Sequence, residues 1–501
     1  MIEPLLAPGP SDRIRPVWRR DGLRQLEHRL QAASDVPLMD RAGQACARLA
    51  MAVAPHARRV LVFAGPGNNG GDGLEAALEL QRRGKPVVVY LMADAEKLPM
   101  DAGRALQRAR QQGVQVVHDL PEDAICPGPM DLCIDALLGI GASRAPEGPI
   151  LQAIHWINHH AAHVLAVDLP SGLDADSGQP LCASHAVVKA DDTLTMLAAK
   201  PGLLMGQGRD VCGRLWLARL ELPELPPADW DCPPAAEFNP AARRTPPAHA
   251  SHKGSHGDVA VVGGECDASG NAMTGAALLA AQAALHGGAG RVLLCLLGDN
   301  ALPAALPADL MPRAVHSLDL PRLTVVAGCG GGRAVAQPLG RLLQHSARLV
   351  LDADALNRLG EDPWLQDLLR QRQTQQRPTV LTPHPLEAAR LLGCTSAQVQ
   401  ADRLAAAHAL TERYGACVVL KGSGTVLAAP GRVPRINTTG NGLLAIGGTG
   451  DVLAGLVGAL LARGHDAWQA SCQAAWLHGR AADEWPGDQA LTATRLAARL
   501  F

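Results

Sequence analysis

Short apolar runs alternate along this chain with longer stretches whose apolar positions recur at helical spacing. In the first half the pattern predicts strands at Val60–Ala64, Val87–Met92, Leu132–Asp135 and Val164–Asp168, with a helix over Leu74–Arg83. In the second half it predicts strands at Val259–Val262, Val292–Cys295, Leu323–Ala327, Leu349–Asp352, Thr379–Leu381 and Cys417–Leu420. Helices are expected there over Thr274–His286, Leu386–Leu392, Arg403–Tyr414 and Val452–Arg463. Such alternation builds mostly parallel α/β sheets with helices on both faces. Ligands of these sheets bind beyond the carboxyl ends of the strands, so Asp135, Asp168 and the loop after Ala64 should converge on one crevice. Residues 222–247 are proline-rich and lack periodicity, which reads as a linker between domains at 1–221 and 248–501.

Length and composition support this division. A chain of 501 residues can bury a full core in each of two domains. Lys plus Arg number 46 against 48 Asp plus Glu, so no basic stripe argues for nucleic acid. Aromatics make up only 3%, leaving Ala, Gly and Leu to fill the core. Twelve cysteines without a C-x-x-C pair read as buried thiols in a reducing compartment, not as a disulfide framework or a zinc site. Met1 to Arg20 has no apolar core of a signal peptide. The longest apolar stretch, Leu443–Ala462, is broken by Asp451 and several glycines. A cytoplasmic protein that engages neither membrane nor nucleic acid is expected. The histidine groups His159, His160, His163 and His249, His252, His256 read as surface residues, since neither has cysteine company.

Two glycine-rich segments carry the candidate chemistry. Gly447 to Gly455 (G-G-T-G-D-V-L-A-G) leads into an apolar helix. Open backbone amides at a helix N-terminus bind anions, and glycine lets the backbone approach a phosphate closely. Asp451 beside such a site suits removal of a proton from a hydroxyl that attacks phosphorus. Gly65 to Gly73 (G-P-G-N-N-G-G-D-G) joins a strand to a helix and adds hard oxygen ligands to a phosphate cradle. Oxygen ligation by Asn68, Asn69 and Asp72, with Asp135 and Asp168 at strand ends, suits a hard cation; alternatively the Asn and Asp residues only build turns.

Leu38-Met39-Asp40-Arg41-Ala42-Gly43, N-N-G-G-D-G, D-A-L-L-G-I-G, V-D-L-P-S-G-L-D and Ala199-Lys200-Pro201-Gly202 together resemble the NAD(P)H-hydrate epimerase domain over residues 15 to 220. The resemblance implies a Rossmann-like, three-layer domain that interconverts the R and S epimers of hydrated nicotinamide cofactors at C6. It implies substrate contacts from Asn68, Asn69, Gly70, Gly71 and Asp72, and from Gly139, Ile140, Gly141, Ala142, Ser143, Arg144 and Ala145. It further implies a potassium ion around Asn69, Asp135 and Ser171. Asp168 is expected to transfer the proton, or else to accept a hydrogen bond from ribose or carboxamide.

In the second half, Lys421-Gly422-Ser423-Gly424-Thr425 follows a strand and suits nucleotide phosphates, or forms an ordinary hairpin turn. His384 could hold substrate or cap the next helix. The carboxylates of Asp352 and Asp354 could reach magnesium or serve as caps. With Ser251–Gly254, Thr274–Ala276 and Gly328–Gly332, these segments resemble the nucleotide-dependent NAD(P)H-hydrate dehydratase, a ribokinase-like α/β domain, over about residues 245 to 495. The resemblance implies hydrate sites at Ala276, Gly330, His384 and Asp451, and nucleotide sites at Lys421, Gly422, Ser423, Gly424, Thr425 and Gly450. Asp451 would help the C6 hydroxyl accept a phosphoryl group from ADP, with ATP as the alternative donor and magnesium on the phosphates. Here Cys329 replaces the family's usual proline, and Gly440–Ala445 replaces a Pro-Gly-Met-rich approach. The chain is thus expected to repair NADHX and NADPHX as a bifunctional homo-oligomeric enzyme. A ribokinase-like small-molecule kinase and a non-catalytic NAD-metabolite-binding protein are the alternatives.

Overall fold

A computed structural model describes residues 2–6, 15–32, 34–121, 128, 130–182, 186–220, 232–242, 246, 248–266, 270, 272–298 and 306–500. Residues 222–231 of the expected linker lie outside the described set. Two compact units divide between Ala236 and Glu237. The later part of the expected linker contains the strand Ala236–Phe238, paired in parallel with Arg435–Ile436.

The sheet of the first unit runs in the order Ile2–Pro4, Arg214–Ala218, Asp192–Met196, Val164–Val167, Asp131–Ala136, Arg59–Ala64, Val87–Leu91, Gln115–Val117. Only the Ile2–Pro4 edge pairs antiparallel. Alternate residues face opposite sides of a strand. Accordingly Val60, Val62 and Ala64 join one core cluster while Leu61 and Phe63 join another, so both faces are covered. The chain goes from Arg59–Ala64 to one side and returns to the other at Asp131–Ala136. That reversal opens a crevice at the carboxyl ends of these two strands.

The helix expected from Leu74 begins earlier, at Asn68, and takes in the whole N-N-G-G-D-G run. Low glycine propensity is overridden by packing. A Cβ at Gly70 would stand 2.1 Å from the Gly65 carbonyl oxygen, and one at Gly73 would stand 2.5 Å from the Ala136 Cβ. The strand expected through Asp168 ends at Val167, where the chain turns and Asp168 takes φ of 69°.

The second sheet runs Leu310–Pro312, Arg291–Gly298, Asp258–Cys266, Thr324–Ala327, Arg348–Leu351, Thr379–Leu381, Cys417–Leu420, Val426–Ala428, Arg435–Ile436, Ala236–Phe238. It is parallel from Leu310–Pro312 through Cys417–Leu420, then antiparallel across the next two pairs. Every strand predicted in this half is present. Val259 and Val261 pack with the helices Thr274–His286 and Thr449–Ala462 in one alanine-rich cluster. The close approach of those helices needs Gly455, whose added Cβ would meet the Ala280 carbonyl oxygen at 2.0 Å. Both units are therefore α/β, as expected. Among the described residues no helix is long and apolar enough to cross a membrane.

Candidate active sites

In the first unit a cavity of about 1140 Å³ opens at the carboxyl ends of the central strands. Asn68, Asn69, Asp72, Gly139 through Ala145 and Asp168 all line it, as the sequence predicts. Gly70 and Gly71 do not. Both are closely packed: a Cβ on Gly70 would meet the Gly65 carbonyl oxygen at 2.1 Å, and one on Gly71 the Met39 side chain at 2.5 Å. No side chain caps the helix Asn68–Arg82, so its N-terminus offers amides and the positive end of its dipole to an anion.

Asp168 sits on the cavity wall in a left-handed conformation that strains a non-glycine residue. Its Oδ1 accepts hydrogen bonds from Lys200 Nζ at 2.6 Å and from Met196 N at 3.2 Å. Lys200 is 1% exposed and also donates to Thr195 Oγ1 at 2.7 Å. Sequence reasoning placed Lys200 in a motif but gave it no role. It missed Glu27 entirely, a cavity-lining carboxyl on the helix Arg20–Ala32. Burial, then the nearby Asp168 charge, pushes Glu27 up to about 7. Asp72 is held well above the usual carboxylate range by burial and by Asp168, Glu27 and Glu75. The cavity thus combines an ion-paired carboxylate with two carboxyls raised above their usual range by burial and by the Asp168 charge.

Behind the cavity, Asp135 Oδ1 accepts from Ser171 Oγ at 2.6 Å, and Oδ2 accepts from Ser171 N at 2.8 Å. Asp135 is fully buried, which raises it to about 6 against the lowering effect of those bonds. The Asn69 side-chain Nδ2 is buried without a hydrogen-bond partner. Nδ2 is a donor and calls for an acceptor, whereas the Asp135 carboxylate, the Ser171 hydroxyl and Asn69 Oδ1 are oxygen ligands that fit a hard cation better than a soft metal.

In the second unit the helix Thr449–Ala462 starts after Gly448, which takes φ of 90°. Gly450 and Asp451 therefore occupy the first turn. Burial first, then the charge of Asp352, raises Asp451 to about 7. Lys421 Nζ pairs with Asp352 Oδ1 at 2.8 Å and lies 3.9 Å from Glu387 Oε2. A Cβ on Gly450 would stand 3.3 Å from that ammonium, so Lys421 and the helix N-terminus face the same place. Buried His478, lowered to about 4 by desolvation, donates from Nε2 to the Thr449 carbonyl at 2.9 Å and pins the turn.

The residues for which the sequence left alternatives open take definite positions. Lys421 to Thr425 does connect two antiparallel strands, Cys417–Leu420 and Val426–Ala428, while Lys421 reaches into the site. His384 caps the helix Pro385–Leu392: its Nδ1 accepts from Leu386 N at 3.1 Å, and Glu387 Oε2 accepts from His384 N at 2.7 Å. Asp352 anchors Lys421 and also accepts from Thr382 Oγ1 at 2.7 Å, while Asp354 accepts from Gly332 N at 2.8 Å. Ala276 and Gly330 are neighbours, since a Cβ on Gly330 would meet the Ala276 Cβ at 2.9 Å. Cys329, standing in the proline position, is buried with Sγ 3.9 Å from Asp352 Oδ2. Cys329, Asp352 and Asp451 are the one grouping among the described residues whose three potential metal-ligand atoms all lie within 4.8 Å of one another. Neither histidine group takes part in it. The Gly440–Ala445 approach is tied down by Gly440 N to Asp483 Oδ2 at 2.9 Å and Asn441 Nδ2 to the Ala482 carbonyl at 3.0 Å.

Comparisons with known proteins match the two units separately and the chain as a whole. A family model described as YjeF-related protein N-terminus matches residues 36–202, and one described as NAD(P)H-hydrate dehydratase matches residues 259–500. The bifunctional NAD(P)H-hydrate repair enzyme Nnr of Escherichia coli K12 is 37% identical over 491 residues, covering 93% of this chain and 89% of that protein. The corresponding enzyme of Coxiella burnetii is 35% identical over 477 residues, covering 92% of this chain and 93% of its own. Among solved structures, the ADP/ATP-dependent NAD(P)H-hydrate dehydratase of Bacillus subtilis co-crystallised with ATP and Mg2+ is 29% identical. It aligns with 51% of this chain and 91% of its own at a TM-score of 0.43.

Proposed function

The chain belongs to the family of bifunctional NAD(P)H-hydrate repair enzymes, and on that premise we propose how its two units divide the repair. The protein interconverts the R and S epimers of hydrated NADH and NADPH and dehydrates the S epimer back to the dihydronicotinamide. The observation that carries the site assignment is one aspartate per unit beyond the carboxyl ends of a parallel sheet: Asp168, strained and paired with Lys200, and Asp451, raised to about 7 on a helix N-terminus.

In the epimerase unit, Asp168 takes the proton of the C6 hydroxyl as the C6–N1 bond opens to an aldehyde and N1 gains a proton. Re-addition of N1 to the other face of that carbonyl, with the N1 proton lost and the Asp168 proton returned to oxygen, closes the inverted epimer, while Lys200 fixes the orientation of Asp168. The open amides at Asn68–Arg82 and the Gly139–Ala145 loop hold the anionic body of the substrate. Asn69, Asp135 and Ser171 would hold potassium, which supplies a fixed positive charge beside the substrate turn. In the dehydratase unit, Asp451 accepts the C6 hydroxyl proton as that oxygen attacks the terminal phosphorus of ADP, and AMP leaves. The ring nitrogen's lone pair then expels phosphate from C6, and loss of a C5 proton restores the dihydronicotinamide. Lys421 through Thr425 and the amides at Gly450 receive the phosphates; magnesium bound to those phosphates would neutralise developing charge. Ala276, Gly330 and His384 border the hydrate. The eleven described cysteines are all free, which supports a cytoplasmic setting, and a homo-oligomeric assembly is part of the same reading.

The decisive experiment supplies an R and S mixture of hydrated NADH with magnesium, potassium and either ADP or ATP, and follows dihydronicotinamide absorbance. Complete, nucleotide-dependent recovery of both epimers is expected. Recovery that stops when the S epimer is consumed would mean a silent first unit. Absence of recovery with either nucleotide would favour a small-molecule kinase.

A further inference from the structure

Arg403 opens the helix Arg403–Tyr414 and is only 2% exposed. Its Nη2 donates to the carbonyls of Leu420 at 3.1 Å, Lys421 at 3.2 Å and Gly424 at 3.4 Å, and its Nη1 donates to Gln400 Oε1 at 2.7 Å. Nε is buried without a partner. Among the described residues no carboxylate pairs with this guanidinium. An uncompensated buried charge is costly, so its place in the fold calls for a reason. It lies directly against the segment Lys421–Thr425, and three carbonyls of that region turn toward it. Gly422, at φ of 137°, has no room for a side chain because a Cβ there would stand 2.9 Å from Arg403 Nη1.

We propose that Arg403 is the positioning residue of the nucleotide loop: it draws the loop carbonyls inward, so that loop amides and Lys421 face the phosphates of a nucleoside diphosphate, and its own charge is the fixed countercharge to them. This rests on the reading of Lys421–Thr425 as the nucleotide site. Arg372 shows what the same device does elsewhere. It is 1% exposed and donates to the carbonyls of Leu343 at 2.9 Å and Ser346 at 2.8 Å and to Thr379 Oγ1 at 2.9 Å. Thr379 opens the strand Thr379–Leu381, and Leu343 and Ser346 precede the strand Arg348–Leu351, so Arg372 serves strand starts, whereas Arg403 serves the end of Cys417–Leu420. Ligands of parallel sheets bind at strand ends, so only Arg403 should touch nucleotide affinity.

The test uses full-length protein carrying Arg403→Lys, Arg403→Met, Arg372→Lys or Lys421→Met. Each variant is titrated with ADP, assayed for dehydration and melted thermally. Arg403→Lys should raise the ADP Kd and KM by about tenfold or more, with kcat changed far less, because the charge remains but the fork that shapes the loop is lost. Arg403→Met should bind ADP more weakly still. Arg372→Lys should lower the melting temperature and leave the ADP Kd unchanged. If Lys421→Met weakens ADP binding while both Arg403 variants keep the wild-type Kd, Arg403 is structural only and the proposal fails. If none of Lys421→Met, Arg403→Lys and Arg403→Met changes ADP binding, the loop is not the nucleotide site. Should the Arg403 variants fail to fold, Gly422→Ala, which presses on Nη1 from the loop side, must weaken ADP binding in their stead; an unchanged Kd there overturns the proposal.

Discussion

The two aspartates proposed as proton carriers work in opposite settings. Asp168 is an ion-paired carboxylate held by Lys200, whereas Asp451 is raised to about 7 by burial and by the Asp352 charge. A base must be ionised to accept a proton, so Asp451 is competent above about 7 and lost below it. Dehydration kcat/KM should therefore fall about tenfold per pH unit on the acid side of that value and level off above it; a flat profile between pH 5 and 8, on the order of that range, would remove Asp451 from the role. Asp451→Asn should lower dehydration by about 10²- to 10⁴-fold and spare epimerisation, and Asp168→Asn should do the reverse. Loss of both activities from either folded variant would contradict the two-site assignment. Lys200→Met leaves Asp168 buried without its partner, a change worth about 3–5 kcal/mol for such pairs. It should lower the melting temperature of the first unit and abolish epimerisation together. Asp168 was legible in the sequence as a strand-end carboxylate. The role of Lys200, separated from it by 32 positions, was not, because only the turn after Met196 brings its ammonium back.

At the scale of elements, glycine marks close approach as much as flexibility. The helices Leu38–Val53 and Asn68–Arg82 meet at Gly43, where an added Cβ would lie 2.3 Å from the Glu75 Cβ and 2.9 Å from the Ala76 amide nitrogen. Overpacking of this kind typically costs about 1–3 kcal/mol. Gly43→Ala should lower the thermal midpoint of the first unit and its epimerase activity, while dehydration by the same chain stays near wild type; equal loss of both activities would show a global rather than a local effect. The same principle explains the misplaced helix start. A run of Asn, Gly and Asp reads as a turn by propensity, yet within Asn68–Gly73 the glycines let the first helical turns press on their neighbours, Gly70 on the Gly65 carbonyl, Gly71 on Met39 and Gly73 on Ala136. The K-G-S-G segment was ambiguous for the opposite reason: hairpin and phosphate loop share one local pattern, and here the segment joins two antiparallel strands while Lys421 reaches Asp352.

For the whole molecule, the proposed division of labour makes complementation testable. A mixture of the Asp168→Asn and Asp451→Asn chains should recover both epimers fully, because the R epimer converted by one chain can diffuse to the dehydratase of the other. Recovery no greater than that of Asp168→Asn alone would mean that substrate is not released between steps. The amino-acid sequence by itself determined the fold class, every strand of the second parallel core from Val259 to Leu420 that the apolar runs predicted, and the aspartates at strand ends. Those are consequences of local periodicity and of chain order, which a linear reading captures. Only the tertiary structure decided that Gly70 and Gly71 leave no room for a side chain, that Glu27 lines the first cavity, that the His384 ring accepts from the helix it precedes and that Arg403 lies against the Lys421 loop. Each of these depends on which groups burial brings together across tens of residues, and on the desolvation that follows, neither of which is encoded in any one stretch of chain.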